Sequence, residues 1–364
     1  MMPVAQKPQS SWVASFVVFS LLACIVIAGL VVAVSFVARR VAARFEGSST
    51  QEASLDLRPD VRLPPATTGW DGVITNLLSA FDHVDVVALE EARGNEADSE
   101  LRLRLLRDPD FPFRVNSIIV EFGSSLHQAI LDRYIDGQEV SRQEIEQVWR
   151  DTTQVAAWDA PVYEEFFAAV REVNRKLPPL RRVHVIAGDT PIDWDRVKTK
   201  QDIEPFLARR RFPVSINHVA VQTGLKALVI YTSGRLRRPR FPLWASARET
   251  RVEEHPGLPL RATTPPIFKA LQVSNPGRIF VVRTIAGLNP FEGVLQSTKL
   301  PLLVPLAGMY SANDARLSDD ADALIYFGDS PDVTAVSRAD PAIYRNTPYG
   351  EEVARRNTAR EAKP

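Results

Sequence analysis

The chain has one cysteine, Cys24, only three methionines, and no net formal charge. A single cysteine excludes an internal disulfide and a thiolate metal cluster. Lys+Arg and Asp+Glu both total 44, so no global field draws the molecule to nucleic acid, and none is expected as a partner. No GxGxxG follows an apolar run and no GxxxxGK(S/T) occurs, which removes the dinucleotide fingerprint and the P-loop. No GxSxG is present, which argues against an α/β-hydrolase nucleophile elbow. The five histidines have neither HxxxH nor HxH spacing, so a zinc site is not expected. What is present is an ordinary globular balance, 45% hydrophobic and 24% charged over 364 residues. That length fits two domains, or one large α/β domain with a tail.

Charge is also absent from Trp12 to Ala38. About 20 apolar residues span a bilayer core at about 1.5 Å rise each, and this run is longer. A secretory signal would have a shorter apolar region, of roughly 7 to 15 residues, and a small-residue cleavage site. The expected organisation is a tail over 1–11, a transmembrane helix over 12–38 in contact with membrane lipid, and a juxtamembrane linker over 39–69. An α/β domain over 70–356 and a tail over 357–364 follow. Gly47 to Thr68 is polar and rich in Pro, Ser and Thr, as a linker should be. Arg39, Arg40 and Arg44 against Glu46 outweigh Lys7 and the amino terminus, which places the domain on the cytoplasmic side of a single-pass protein.

Beyond the linker, short Val- and Ile-rich runs alternate with helical patterns. The runs are 84–89, 115–122, 183–187, 227–231, 279–282, 302–306 and 324–327. They are mostly apolar, as strands buried on both faces should be. Tyr163, Phe166, Phe167, Val170, Val173 and Leu177 mark one face of a helix. Helices are also expected over 126–135, 141–149 and 202–210. The fold class is therefore α/β, a mainly parallel sheet flanked by helices.

Ligands bind such sheets outside the carboxyl ends of the strands. The first run is followed by Glu90-Glu91-Ala92-Arg93-Gly94; the second carries Glu121 near its end and is followed by Gly123. Later runs are followed by Gly188-Asp189, by Thr232-Ser233-Gly234-Arg235, and by Arg283-Thr284. Ionisable residues recurring at one end of successive strands point to a site for a small molecule. The alternative is a rim of solvated ion pairs, each worth about 0–1 kcal/mol.

The segments VVALEEARGNEADSELRLRLLRDPDFP, IIVEFGSSLHQAILDRYIDG, VHVIAGDTPIDWDRV and ALVIYTSGRL resemble the ChaN-like part of the erythromycin esterase / haem-binding uptake (Tiki) superfamily. The resemblance covers roughly Trp70 to Arg356. In that superfamily the first strand usually ends in Gly-Glu-x-His, the second carries an acid, and a later strand ends in Gly-x-Gly-His. Glu91 falls on the first Glu, Glu121 on the second acid, and Gly234 on the glycine before the later His. Glu90 replaces the first Gly. Arg93 and Arg235 replace both histidines.

An imidazole can accept a proton near pH 7 or bind a metal; a guanidinium can do neither. Glu91, Glu121 and Asp189 beside histidines would suit acid–base work. Beside Arg93 and Arg235 they suit ion pairs, and Glu91 is expected to be held ionised by an adjacent cation. The resemblance therefore implies a hydrolase-like domain with its histidine-dependent chemistry lost or reduced. A working hydrolase using the three acids, and a haem binder whose propionates meet the arginines, are the other readings it carries. No cofactor is assigned.

Of the histidines, His184 is expected inside a strand as a core residue, and His127, on a helix close to Glu121, is retained as a ligand contact. Ser233 has no companion histidine and is counted as a ligand contact, as is Trp194 beside Asp193. Trp158 with Asp159 lines a pocket or belongs to the core. The loop Arg235-Leu-Arg-Arg-Pro-Arg240 is a candidate grip for a phosphate or lipid head group, or a solvated loop.

Overall fold

The computed structural model describes residues 61–63, 66–209, 225–232, 234–236, 266–287, 299–306 and 321–362. These belong to one compact unit, Leu57–Pro364. The apolar run 12–38, the greater part of the linker, Ser233, Arg237, Arg238 and Arg240 lie outside the described residues. Among the described residues no helix is long and apolar enough to cross a membrane.

One sheet organises the domain. Its strands are β1 (Thr67–Thr68), β2 (Val86–Glu91), β3 (Ser117–Ser124), β4 (His184–Asp189), β5 (Ala227–Thr232), β6 (Ile279–Ile285), β7 (Leu302–Pro305) and β8 (Ala323–Tyr326). The order across the sheet is β1-β7-β8-β6-β2-β5-β3-β4. From β8 to β4 every neighbouring pair is parallel, and β7 runs antiparallel to both its neighbours. β5 thus inserts between β2 and β3, so the chain returns to the middle of the sheet after building its β4 edge.

The helices are α1 (Gly69–Ala80), α2 (Glu96–Arg107), α3 (Phe111–Arg114), α4 (Gln128–Ile135), α5 (Arg142–Arg150), α6 (Pro161–Arg175), α7 (Lys200–Arg209), α8 (Pro266–Ser274) and α9 (Pro348–Glu361). Local signals set their starts. Asn95 caps α2 by accepting from the Asp98 N–H, Ser141 and Glu144 form a capping box on α5, and Pro161 opens α6. His127 lies in a single 3-10 turn before α4, not on the helix expected there. His184 is exposed at the first position of β4; the strand begins one residue later than its apolar pattern suggests, so this side chain meets solvent instead of core.

Side-chain alternation along each strand divides the core into two layers. Val87 and Leu89 of β2 join the cluster made with α1, α2, α4, α5 and α6, whereas Val86 and Ala88 join the cluster made with α8. The larger layer centres on Phe122. Its ring lies 4.9 Å from Tyr163, 5.2 Å from Phe166, 5.6 Å from Phe167 and 6.1 Å from Trp158. Phe122→Ala removes four aromatic contacts at once from a fully buried position. It is expected to destabilise the domain by about 3–5 kcal/mol, read from denaturant unfolding.

Candidate functional site

The strands do not stop where their apolar runs stop. The β2–β5 ladder continues through Glu90↔Tyr231 and Glu91↔Thr232, and β3 continues to Ser124. Glu90, Glu91 and Asp189, expected just beyond their strands, are therefore inside them, as Glu121 is. Glu90, Glu91, Glu121 and Asp189 are each 1–2% exposed. A carboxylate at that depth must be met by donors or by positive charge.

Glu121 is met by four donors. Its Oε2 accepts from the Thr232 N–H at 2.9 Å and the Thr232 hydroxyl at 2.6 Å. Its Oε1 accepts from Gln154 Nε2 at 3.1 Å and pairs with Arg235 Nε at 2.9 Å. Gln154 faces both ways, because its Oε1 accepts from Arg93 Nη2 at 2.5 Å. The exposed Arg93 guanidinium rests on the buried Trp158 ring, 4.5 Å from its centroid. Arg93, Gln154, Glu121 and Arg235 thus form one connected chain across the C-terminal edge of the sheet.

Asp189 joins through the next residue. It accepts from both the backbone N–H and the hydroxyl of Thr153, the latter at 2.8 Å. The α5–α6 loop, Asp151 to Ala160, supplies Thr153, Gln154 and Trp158, and it is braced from outside. His127 Nε2 lies 2.9 Å from Asp151, and Trp194 Nε1 donates to the Thr152 carbonyl at 3.1 Å. Arg356 Nη2 also donates to Asp151, at 2.6 Å. Burial alone would raise the Asp151 carboxyl, but His127 and Arg356 outweigh it and hold the group below the usual carboxylate range. Tyr344 and Tyr349 close the loop's far end on Asp159, at 2.6 and 2.9 Å.

Glu91 belongs to a different place. It points to the α2 and α6 side of the sheet, in step with Val87 and Leu89, and pairs with buried Arg102 of α2. The cation expected beside Glu91 is therefore Arg102, not Arg93 or Arg235. The reason is the two-residue period of the strand. The remaining face of the Arg102 guanidinium looks at the Phe122 and Tyr163 rings, 5.6 and 5.8 Å away, and burial pulls its pKa down to about 10. Beside it Asp98, 3% exposed, accepts from the Ala92 N–H at 2.8 Å, and burial pushes its carboxyl up to about 7. Glu90 faces the α8 side, accepting from the Gly234 N–H at 2.8 Å and pairing with Arg283 Nε at 3.2 Å.

Two loops carry the arginines, and glycine shapes both. Gly94 has φ +71°, and a Cβ there would meet the Ser337 carbonyl at 2.9 Å. Its N–H donates to Tyr163 and its carbonyl accepts from the Ser337 N–H, so the Arg93 loop is pinned from below and above. Gly234, with φ +89°, turns the chain between Thr232 and Arg235.

The structure thus brings Arg93, Arg235, Glu121 and Asp189 to one edge. It places His127 and Trp194 behind the α5–α6 loop, as braces, and Glu91 beneath the sheet's other side. Gln154, Thr153, Asp151 and Arg102 were not singled out in the sequence, because a polar residue in a loop or helix carries no sign of the strand end it will reach. Among the described residues no group of three or more His, Cys, Asp and Glu is placed to hold a metal ion. His127, the axial ligand considered for haem, has its Nε2 2.9 Å from Asp151.

No protein-family model matches the chain, and no curated protein matches it. Solved structures do. The chain is similar to a Bacillus cereus protein at 10% identity, covering 75% of this chain and 95% of that one, with a TM-score of 0.49. It is similar to the erythromycin esterase EreC, solved as a variant in its open conformation, at 11% identity, 72% and 97% coverage and a TM-score of 0.44. It is also similar to ChaN of Campylobacter jejuni, solved with cofacial haem, at 12% identity, 71% and 91% coverage and a TM-score of 0.37. Likeness at this level assigns neither ligand nor chemistry to this chain.

Two stability experiments follow from the buried charges. Arg102→Met strands Glu91 and is expected to cost about 3–5 kcal/mol in denaturant unfolding, most of it recovered in Glu91→Gln/Arg102→Met. Asp98 titrates higher in the folded than in the unfolded chain, so its stabilising contribution is full below about pH 4 and declines as pH rises to about 7. Wild type is therefore expected to lose stability relative to Asp98→Asn across that window, and to run parallel to it above the window.

Proposed function

We propose that this chain is a membrane-anchored, ChaN-like and erythromycin esterase-like domain that binds a small anionic molecule at the C-terminal edge of its sheet, without histidine-dependent hydrolysis. The observation that carries this reading is Glu121. A general base needs a free lone pair and a route to a proton, yet both oxygens of this carboxylate accept from protein donors, one of them a guanidinium. Asp189 is likewise held by Thr153, and Glu91 by Arg102. The acids thereby act as struts that position positive charge. Arg93, exposed and set on Trp158 by Gln154, offers an oriented guanidinium to a carboxylate or phosphate. Trp12 to Ala38 serves as the anchor, and Arg39-Arg40 favour the cytoplasmic side.

An active hydrolase is the competing reading, with Glu91, Glu121 and Asp189 as its acids and the arginines stabilising an anionic intermediate. Two measurements separate them. The unit from Leu57 onward is expected to gain melting temperature with a subset of phosphate- or carboxylate-bearing compounds, since binding at 100 times Kd adds about 2.7 kcal/mol. Arg93→Ala is expected to weaken that binding at least tenfold. In an ester panel the parent is expected to stay at the buffer rate; turnover at enzyme-like rates by the unmodified chain would exclude the proposal. Arg93→His/Arg235→His tests whether imidazoles restore any.

A further inference from the structure

The opposite end of the sheet carries a second surface. Before β3, the α3 turn presents Phe113 at 66% exposure; before β4, the turn Pro179–Arg181 presents Leu180 at 100%. The two strands are neighbours, so the turns lie side by side, and the Arg181 guanidinium sits 5.5 Å over the Phe113 ring. An isolated exposed apolar side chain is ordinary, but two adjacent ones on proline-stiffened turns are not explained by packing. Both are set in basic sequence, Phe113-Arg114 and Arg175-Lys176-Leu-Pro-Pro-Leu-Arg181-Arg182.

Acidic partners meet only part of that charge. Arg114 pairs with Asp82, Lys176 with Glu172 at 2.7 Å, and Arg182 with Asp136 at 3.6 Å. Arg175 and Arg181 have no ion pair among the described residues, although Asp108 and Asp110 lie close to Arg114. The result is an apolar tip with the Arg181 guanidinium, which has no ion pair among the described residues, lying over the Phe113 ring. A protein interface of ordinary size needs about 800 Å² per partner, with an apolar core inside a polar rim. Two protruding side chains framed by arginine fit a different partner. They match an interfacial anchor, in which the apolar tips enter the acyl boundary and the guanidinium meets lipid phosphates at an anionic surface.

We infer that this end of the sheet, at Phe113 and Leu180, docks onto an anionic lipid bilayer. Docking here would leave the Arg93 edge facing away from the membrane and open to solutes.

The inference needs neither the anchor nor the ligand, so it is tested on the compact unit from Leu57 onward, whose described residues contain its own hydrophobic core. Flotation is measured with phosphatidylcholine vesicles, with and without one-third phosphatidylglycerol, at 100 mM salt. The unit is expected to float with the anionic vesicles only. Phe113→Ser/Leu180→Ser and Arg181→Glu are each expected to cut the bound fraction at least fivefold with unchanged melting temperature. No flotation with either vesicle overturns the inference, as does flotation that these variants leave unaltered. Dimerisation of the unit that Leu180→Ser abolishes would reassign the tip to self-association and overturn it too. None of these outcomes bears on the anchor over 12–38, which the fragment lacks, or on ligand binding at the other edge.

Discussion

A carboxylate carried into a parallel sheet cannot keep its water, and four of them are carried in here. The ladder that pairs β2 with β5 runs on through Glu90 and Glu91, and β3 and β4 likewise extend over Glu121 and Asp189. Each buried charge must be compensated locally, and the compensating groups come from loops and helices far away in sequence. That requirement, more than apolar packing, determines how the edge of the sheet is built. Thr232 and Arg235 are drawn to Glu121, Thr153 to Asp189, Arg283 to Glu90 and Arg102 to Glu91.

The α5–α6 loop is where these demands meet. Consecutive residues from Asp151 to Gln154 answer His127, Trp194, Asp189 and Glu121, and Trp158 supports Arg93. The C-terminal segment reinforces the arrangement by touching both loops of the edge. Ser337 and Ala335 bond to the Arg93 loop, while Tyr344, Tyr349 and Arg356 bond to the α5–α6 loop. Burial and Asp159 both raise the hydroxyl pKa of Tyr344 and Tyr349, so these donors keep their protons at any physiological pH. These contacts tie the two loops that carry Arg93 and Gln154 to the C-terminal segment.

Much of this architecture could be read in advance. The Val- and Ile-rich runs locate seven of the strands within three residues at either end, and the Tyr163–Val170 stripe is the buried face of α6. Strand ends were the weak point. An apolar run stops where the polar residues start, but hydrogen bonding between backbones is indifferent to side chains and continues while partners exist. The short β1 and helix α2 were also missed. Two residues are too few for a pattern, and α2 buries charged Arg102 and Asp98 on the side that periodicity would read as solvated.

What the sequence by itself determined is the set of chemical possibilities: arginines at two places where the resembling family has histidines, one cysteine, balanced charge, and strands able to bury both faces. Those follow from composition and local pattern, which any fold must accept. Only the tertiary structure decided which acid meets which cation. Glu90 and Glu91 are adjacent in the chain yet lie on opposite faces of the sheet, one with Arg283 and the other with Arg102. The pairing depends on strand order and on the two-residue alternation at each strand's end. Both are properties of chain segments brought together, and no single segment contains them.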